Sequence, residues 1–148
     1  MAAFPLLAGS GKTLSDLQPS PLILVFGATG YIGSHLVPRL LREGFRVRAS
    51  GRNRKALEAR GWTGLELVEA DALQPDSLPA ALQGVDSAYY LVHSMAAGRD
   101  FGQLDLQAAE NFAAAAGAAG VRRIVYLGGL VPKDPEIGRA SCRERVSY

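Results

Sequence analysis

From Leu22 onward the chain alternates short, wholly apolar runs with stretches of helical period. Leu22 to Phe26 (LILVF) sets five apolar residues in a row, as in a strand covered on both faces. After a glycine-rich turn, Tyr31 to Glu43 has the period of a helix, with Ile32, Leu36, Leu40 and Leu41 as its apolar stripe and Gly44 as its stop. Arg46 to Ser50 predicts a second strand, the segment near Ala56 to Arg60 a short helix, and Leu65 to Glu69 a third strand. Pro75 suits the first turn of a helix that ends at Gly84. Ser87 to Val92 reads as a fourth strand and Arg123 to Leu127 as a fifth. Between them, Asp105 to Ala119 forms a long helix with Leu106, Ala109, Phe112, Ala113 and Ala116 on one face.

Five strands alternating with helices at these spacings predict right-handed βαβ crossovers and a doubly wound parallel α/β sheet, truncated after about the fifth strand. In such sheets ligands bind beyond the carboxyl ends of the strands, where strand order reverses. The residues that follow each strand are therefore the candidates for function.

The flanks differ from this region. Residues 1–20 hold Pro5, Pro19, Gly9 and Gly11 without a period and read as a flexible leader. Its GSGKT (Gly9 to Thr13) imitates a phosphate-binding loop, but Leu6 stands where that motif needs its first glycine. From Glu136 the chain becomes basic and patternless, and Ile137 to Val146 (IGRASCRERV) resembles the translation of a sequencing-adapter strand residue for residue. The expectation is a domain over residues 21–135 and a non-native read-through tail over 136–148. Cys142, the single cysteine of the 148 residues, falls in that tail, so no disulfide or multi-cysteine metal site is expected.

The charge balance, 16 basic against 14 acidic side chains, is too even to point to nucleic acid or an anionic membrane. No apolar run reaches the ~18 residues of a spanning helix, and the N-terminus lacks a basic signal-peptide start. A cytoplasmic protein without a membrane span is expected.

Chemistry concentrates in the turn after the first strand. Gly27, Gly30 and Gly33 have the spacing G-x-x-G-x-x-G, a relative of the dinucleotide fingerprint. Glycine permits the sharp turn and the close approach of backbone to a pyrophosphate, and the helix that follows offers free N–H groups and a partial positive charge. On that pattern, in a repeating βα array, a dinucleotide is the expected partner.

ILVFGATGYIG, EADALQPDSL, AYYLVHSM and GVRRIVYLGG together resemble the short-chain dehydrogenase/reductase superfamily. The likeness is to its extended and atypical branches, which include the NmrA-like NAD(P)-binding proteins, and covers about residues 21–133 of a Rossmann fold. It implies that Thr29, Gly30, Tyr31 and Ile32 line the pyrophosphate, largely through backbone N–H groups. It also implies that Asp71 and Ala72 contact the adenine ring, and that Val92 and His93, ending strand four, run beside the riboses.

NAD-preferring members of the fold carry an acid about 20 residues beyond the glycine turn. Here the second strand ends Ala49-Ser50-Gly51-Arg52-Asn53-Arg54, without one. Arg52, supported by Arg54 or Lys55, suits the 2′-phosphate of NADP. NADP(H) is favoured, with NAD(H) the alternative; a merely solvated basic loop is the bland reading.

Catalytic members of the superfamily place a Ser or Thr after strand five and a Tyr-x-x-x-Lys on the next helix. This chain has Gly128-Gly129 at the first place, and Tyr148 has no lysine after it. Tyr89, Tyr90 and Tyr126 read as core aromatics, and Asn111 as a structural residue bonding backbone near strands four and five. No catalytic residue is assigned. The leading expectation is the cofactor-binding half of an atypical NADP(H)-dependent oxidoreductase of unknown substrate. The rival is a non-catalytic NAD(P)-binding redox sensor or accessory subunit.

Overall fold

The computed structural model describes residues 20–93 and 101–127. The leader, the phosphate-loop imitation, Ser94, Gly128-Gly129 and the tail with Cys142 lie outside the described residues. The strands are β1 (Leu22–Phe26), β2 (Arg46–Gly51), β3 (Glu66–Glu69), β4 (Ser87–Tyr90) and β5 (Arg123–Tyr126). The helices are α1 (Tyr31–Arg42), α2 (Arg54–Glu58), α3 (Leu78–Leu82) and α4 (Phe101–Ala118), with a 3₁₀ turn over Pro75–Ser77. All pairings are parallel and the strand order is β3-β2-β1-β4-β5. This is the expected Rossmann architecture. Strand order reverses between β1 and β4, so the ligand crevice of the fold opens there.

Strand β1 is buried along its whole length, which is why its sequence is unbroken hydrophobic. Its alternate side chains feed two cores. Leu22, Leu24 and Phe26 face Leu78, Leu82 and Phe112 of α3 and α4. Ile23 and Val25 face Val37, Leu40 and Leu57 of α1 and α2. Phe26, Tyr90 and Phe112 form a ring cluster with centroids 4.8–5.8 Å apart beneath the crevice.

Several expectations need correction. In α1 the buried residues are Gly33, Val37 and Leu40, while Ile32 is 44% exposed. Ile32 lies in the first turn at the crevice end of the sheet, beyond the core. In α4 the buried stripe is Ala108, Phe112 and Ala116, and Leu106 is exposed. An alanine-rich helix is apolar nearly all round, so its pattern does not fix which side turns inward. This helix also starts earlier than expected, at Phe101. Helix α2 starts at Arg54 because the Asn53 side chain caps it, accepting from the Ala56 N–H at 3.1 Å. The helix expected from Pro75 is a 3₁₀ turn followed by the five residues of α3.

Strand β4 ends at Tyr90, two residues short of Val92. The Leu91 N–H still donates to Phe26 O at 2.9 Å, but β1 then turns away at Gly27 and the next residues lose their partner. Tyr90 is buried as expected, Tyr89 is half-buried, and Tyr126 on the outer strand is exposed.

One charged residue sits inside the scaffold. Arg48, central in β2, is nearly buried and donates to Glu66 Oε2 (2.7 Å), Ala81 O (2.9 Å) and Gln83 O (2.7 Å). Its guanidinium thus satisfies carbonyls at the C-terminal end of α3 that the short helix leaves open.

Candidate functional site: the crevice at the strand ends

The turn from β1 into α1 is held by β2. The N–H groups of Gly27 and Ala28 both donate to Ser50 O at 2.9 Å, and Gly30 N–H donates to Gly27 O at 3.1 Å. The three glycines have different reasons for being glycine. Gly27 has φ +90°, and a Cβ there would stand 3.0 Å from Leu91 O and 3.2 Å from Val92 Cγ2. Gly33 is wedged against the strand, where a Cβ would meet Ala28 Cα at 2.6 Å.

Gly30 needs neither explanation. Its φ is −71°, which any residue adopts, and among the described residues a Cβ would find only Gly27 O, at 3.4 Å. Packing among the described residues therefore demands a bare Cα less at Gly30 than at Gly27 or Gly33. Gly30 is also the N-cap of α1, with no side-chain cap and no acid in the first turn. The leading N–H groups of a helix have no intrahelical partner. Here they meet a surface without a Cβ, the arrangement that admits a phosphate.

The other expected residues gather around this turn. Thr29 lies beside Gly51, where a Cβ would be 3.6 Å from the Thr29 side chain. Arg52 follows directly, exposed, and makes no hydrogen bond or ion pair among the described residues. It lines an open cleft of about 610 Å³ with Asn53, Arg54, Lys55, Glu58 and Glu69. Arg54, expected to support it, is engaged elsewhere: its Nε donates to Glu58 Oε1 at 2.9 Å and its guanidinium to Leu67 O at 3.2 Å. Glu69 is occupied as well, accepting the Arg54 N–H at 2.9 Å.

Beyond β3, Asp71 and Ala72 belong to a tightly bonded loop. Asp71 Oδ1 accepts the Leu73 N–H at 2.9 Å, and Ser77 Oγ accepts the Asp71 N–H at 2.9 Å. Asn111 Nδ2 donates to Ala72 O at 2.8 Å, fastening this loop to α4. Asn111 is thus structural as expected, but it serves the loop after β3 and not strands four and five. Beyond β4, Val92 packs against Gly27, and His93 Nε2 donates to Leu127 O at 3.0 Å, which ties the ends of β4 and β5.

The structure therefore brings the backbone of the glycine turn, Arg52, Asp71, Ala72, Val92 and His93 to one edge, the carboxyl ends of β1 to β4. Tyr31 and Ile32, in the first turn of α1, are 80% and 44% exposed. Two participants were missed in the sequence. Arg60, beyond α2, donates from its guanidinium to Thr29 O, 31 residues away. Ser77 fastens the Asp71 loop. Neither stands in a spacing pattern, because tertiary structure alone brings them to the crevice.

Comparison with known proteins decides the lineage. The family model described as NmrA-like matches residues 19–139. The chain belongs to the NmrA-like family. Its expected kinship with NAD(P)-binding, short-chain-dehydrogenase-like reductases stands. A relative from Streptomyces griseus, (4-alkanoyl-5-oxo-2,5-dihydrofuran-3-yl)methyl phosphate reductase, is 36% identical over 78% of this chain and 37% of its own length. A short-chain dehydrogenase/reductase superfamily protein from Agrobacterium tumefaciens, solved with bound NAD, is 30% identical with a TM-score of 0.60, over 71% of this chain and 31% of its own. The Escherichia coli NADPH-dependent quinone oxidoreductase QOR2, solved with NADPH, is also 30% identical, with a TM-score of 0.59 over 70% of this chain and 35% of its own. The chain spans about a third of the length of each of these three relatives. No helix among the described residues is long and apolar enough to cross a membrane.

Proposed function

We propose that this chain is the cofactor-holding part of an NADP(H)-dependent oxidoreductase. The observation that carries the reading is Gly30, where packing among the described residues demands a bare Cα less than at Gly27 or Gly33, whereas a bound pyrophosphate requires one. Backbone N–H groups at Thr29, Gly30, Tyr31 and Ile32 would hold that pyrophosphate, with Gly27 and Gly33 shaping the turn. Asp71 and Ala72 would take the adenine, with the second Asp71 carboxylate oxygen as acceptor. Val92 and His93 would flank the riboses.

The preference for NADP(H) over NAD(H) rests on Arg52. No acid ends β2, and the Arg52 guanidinium has no carboxylate partner among the described residues that would cancel its charge. A 2′-phosphate would give that charge its counterion. The nicotinamide, when bound, supplies hydride transfer, and the protein positions it. Reduction of a carbonyl or quinone substrate is the activity proposed for the whole protein, by analogy with the reductases it resembles.

Fluorescence titration with NADPH and NADH tests the reading. Arg52→Ala should weaken NADPH by about tenfold or more, a charge-assisted hydrogen bond's worth, and leave NADH nearly unchanged. Equal losses for both nucleotides would remove the NADP(H) assignment. Tight binding without turnover over a range of carbonyls and quinones would favour the redox-sensor reading instead.

A further inference from the structure

Three observations about charge meet at the glycine turn. Arg60 lies two residues beyond α2, and its guanidinium donates to Thr29 O. Thr29 in turn lies beside Gly51, the residue before Arg52. Arg60 and Arg52 therefore share the neighbourhood of the Thr29–Gly51 contact, although they approach it from different parts of the chain. Neither has a carboxylate partner among the described residues. Arg54 and Glu58 are committed to each other, whereas Glu69 bonds a neutral N–H and keeps its charge. A guanidinium resting on a neutral carbonyl keeps its full charge, and one such bond leaves most of its five N–H donors unspent.

We propose that Arg60 is the second cation of the 2′-phosphate site, and that its tether to Thr29 O aims it there. The inference rests on the NADP(H) reading above and adds a specificity-determining residue to it. A phosphate held between Arg52 and Arg60 receives donors from two sides, which suits its several oxygens better than one arginine at a solvent-exposed strand end.

The test uses the full chain with four ligands: NADPH, NADH, 2′,5′-ADP and ADP. Arg60→Gln should weaken NADPH and 2′,5′-ADP by about tenfold, as for a lost charge-assisted bond, and leave NADH and ADP within about twofold. Arg60→Lys keeps the charge without the fork and should recover part of the loss. Equal losses for phosphorylated and unphosphorylated ligands would make Arg60 a clasp on the turn alone and overturn the inference, as would no loss. If Arg52→Gln loses the preference and Arg60→Gln keeps it, the NADP(H) reading stands and the role of Arg60 fails. If the unmodified chain shows no preference for NADPH, both fail together. Should Arg60→Gln not fold, Arg60→Lys decides: unchanged selectivity for 2′,5′-ADP over ADP overturns the inference, and a loss of about threefold or more supports it.

Discussion

Gly33 and Ala28 touch so closely that a Cβ on Gly33 would stand 2.6 Å from Ala28 Cα. This contact draws the first turn of α1 onto the end of β1. It separates the folding role of the glycine turn from its binding role, because Gly30, three residues earlier, makes no such contact. Gly33→Ala should destabilise the chain by about 2 kcal/mol or more, as overpacking against backbone does. Gly30→Ala should cost less, about 1 kcal/mol, because alanine is a poorer N-cap than glycine. Yet it should weaken NADPH and NADH alike by about tenfold or more, since its methyl enters the phosphate's place. Urea unfolding and nucleotide titration of the two variants check the contrast. Unchanged nucleotide affinity in Gly30→Ala would mean that the crevice does not take a phosphate there.

The strands were legible because a parallel sheet covered on both faces demands long apolar runs, and LILVF has no other use. The glycine turn was legible because backbone geometry dictates glycine at Gly27 and Gly33. What escaped the sequence has physical reasons. Ile32 looked like a core residue but lies in the first turn of α1, beyond the core, and Leu106 looked like one because phase is poorly fixed along the alanine-rich α4; both are exposed. Arg54 looked like a phosphate ligand and is spent on Glu58 and Leu67 O, while Arg60, further along, reaches the turn. Side-chain pairing between distant segments leaves no period to read.

Arg48 is a scaffold residue and should behave as one. Its guanidinium bonds Glu66, Ala81 O and Gln83 O from a nearly buried position. Arg48→Met would leave those carbonyls without their donor and the half-exposed Glu66 with only its longer contact to Arg46, a loss of about 2 kcal/mol carried mainly by the unsatisfied carbonyls. Arg48→Lys should recover little, because a single ammonium does not span the three acceptors. Chemical denaturation gives the stability. Nucleotide affinity of the folded fraction should stay unchanged, since Arg48 lies three residues from the carboxyl end of β2.

Ser50 carries a different kind of tension. Its carbonyl holds Gly27 and Ala28, but its hydroxyl is buried without a hydrogen-bond partner among the described residues. An unsatisfied buried hydroxyl costs stability, whereas its removal leaves the backbone bonds intact. Ser50→Ala should therefore keep nucleotide affinity and raise stability by up to about 1 kcal/mol. A thermal melt showing a loss of that size would reveal a partner for the hydroxyl and a structural need for it.

At the opposite end of the sheet, Asp86 joins the start of β4 to the start of β5. Arg122 Nε donates to its Oδ1 at 2.6 Å, with a second guanidinium bond to the same oxygen, and Ser87 Oγ donates to Oδ2 at 3.1 Å. The Arg122 hydrogen bond, foremost, holds the Asp86 carboxyl below its ordinary value against the opposing effect of burial, with the Ser87 bond and the charges of Arg122 and Arg123 adding to the lowering. A folded-state pKa below the unfolded one means that the folded chain binds the proton less readily. The stabilisation is thus present above the ordinary carboxylate pKa of about 4 and disappears as pH falls through the lower folded value. Melting temperatures of the unmodified chain and Asp86→Asn, followed from neutral pH downward, should differ in favour of the unmodified chain and converge only in acid below that range. A gap independent of pH would assign the contribution of Asp86 to its shape and hydrogen bonds rather than to its charge.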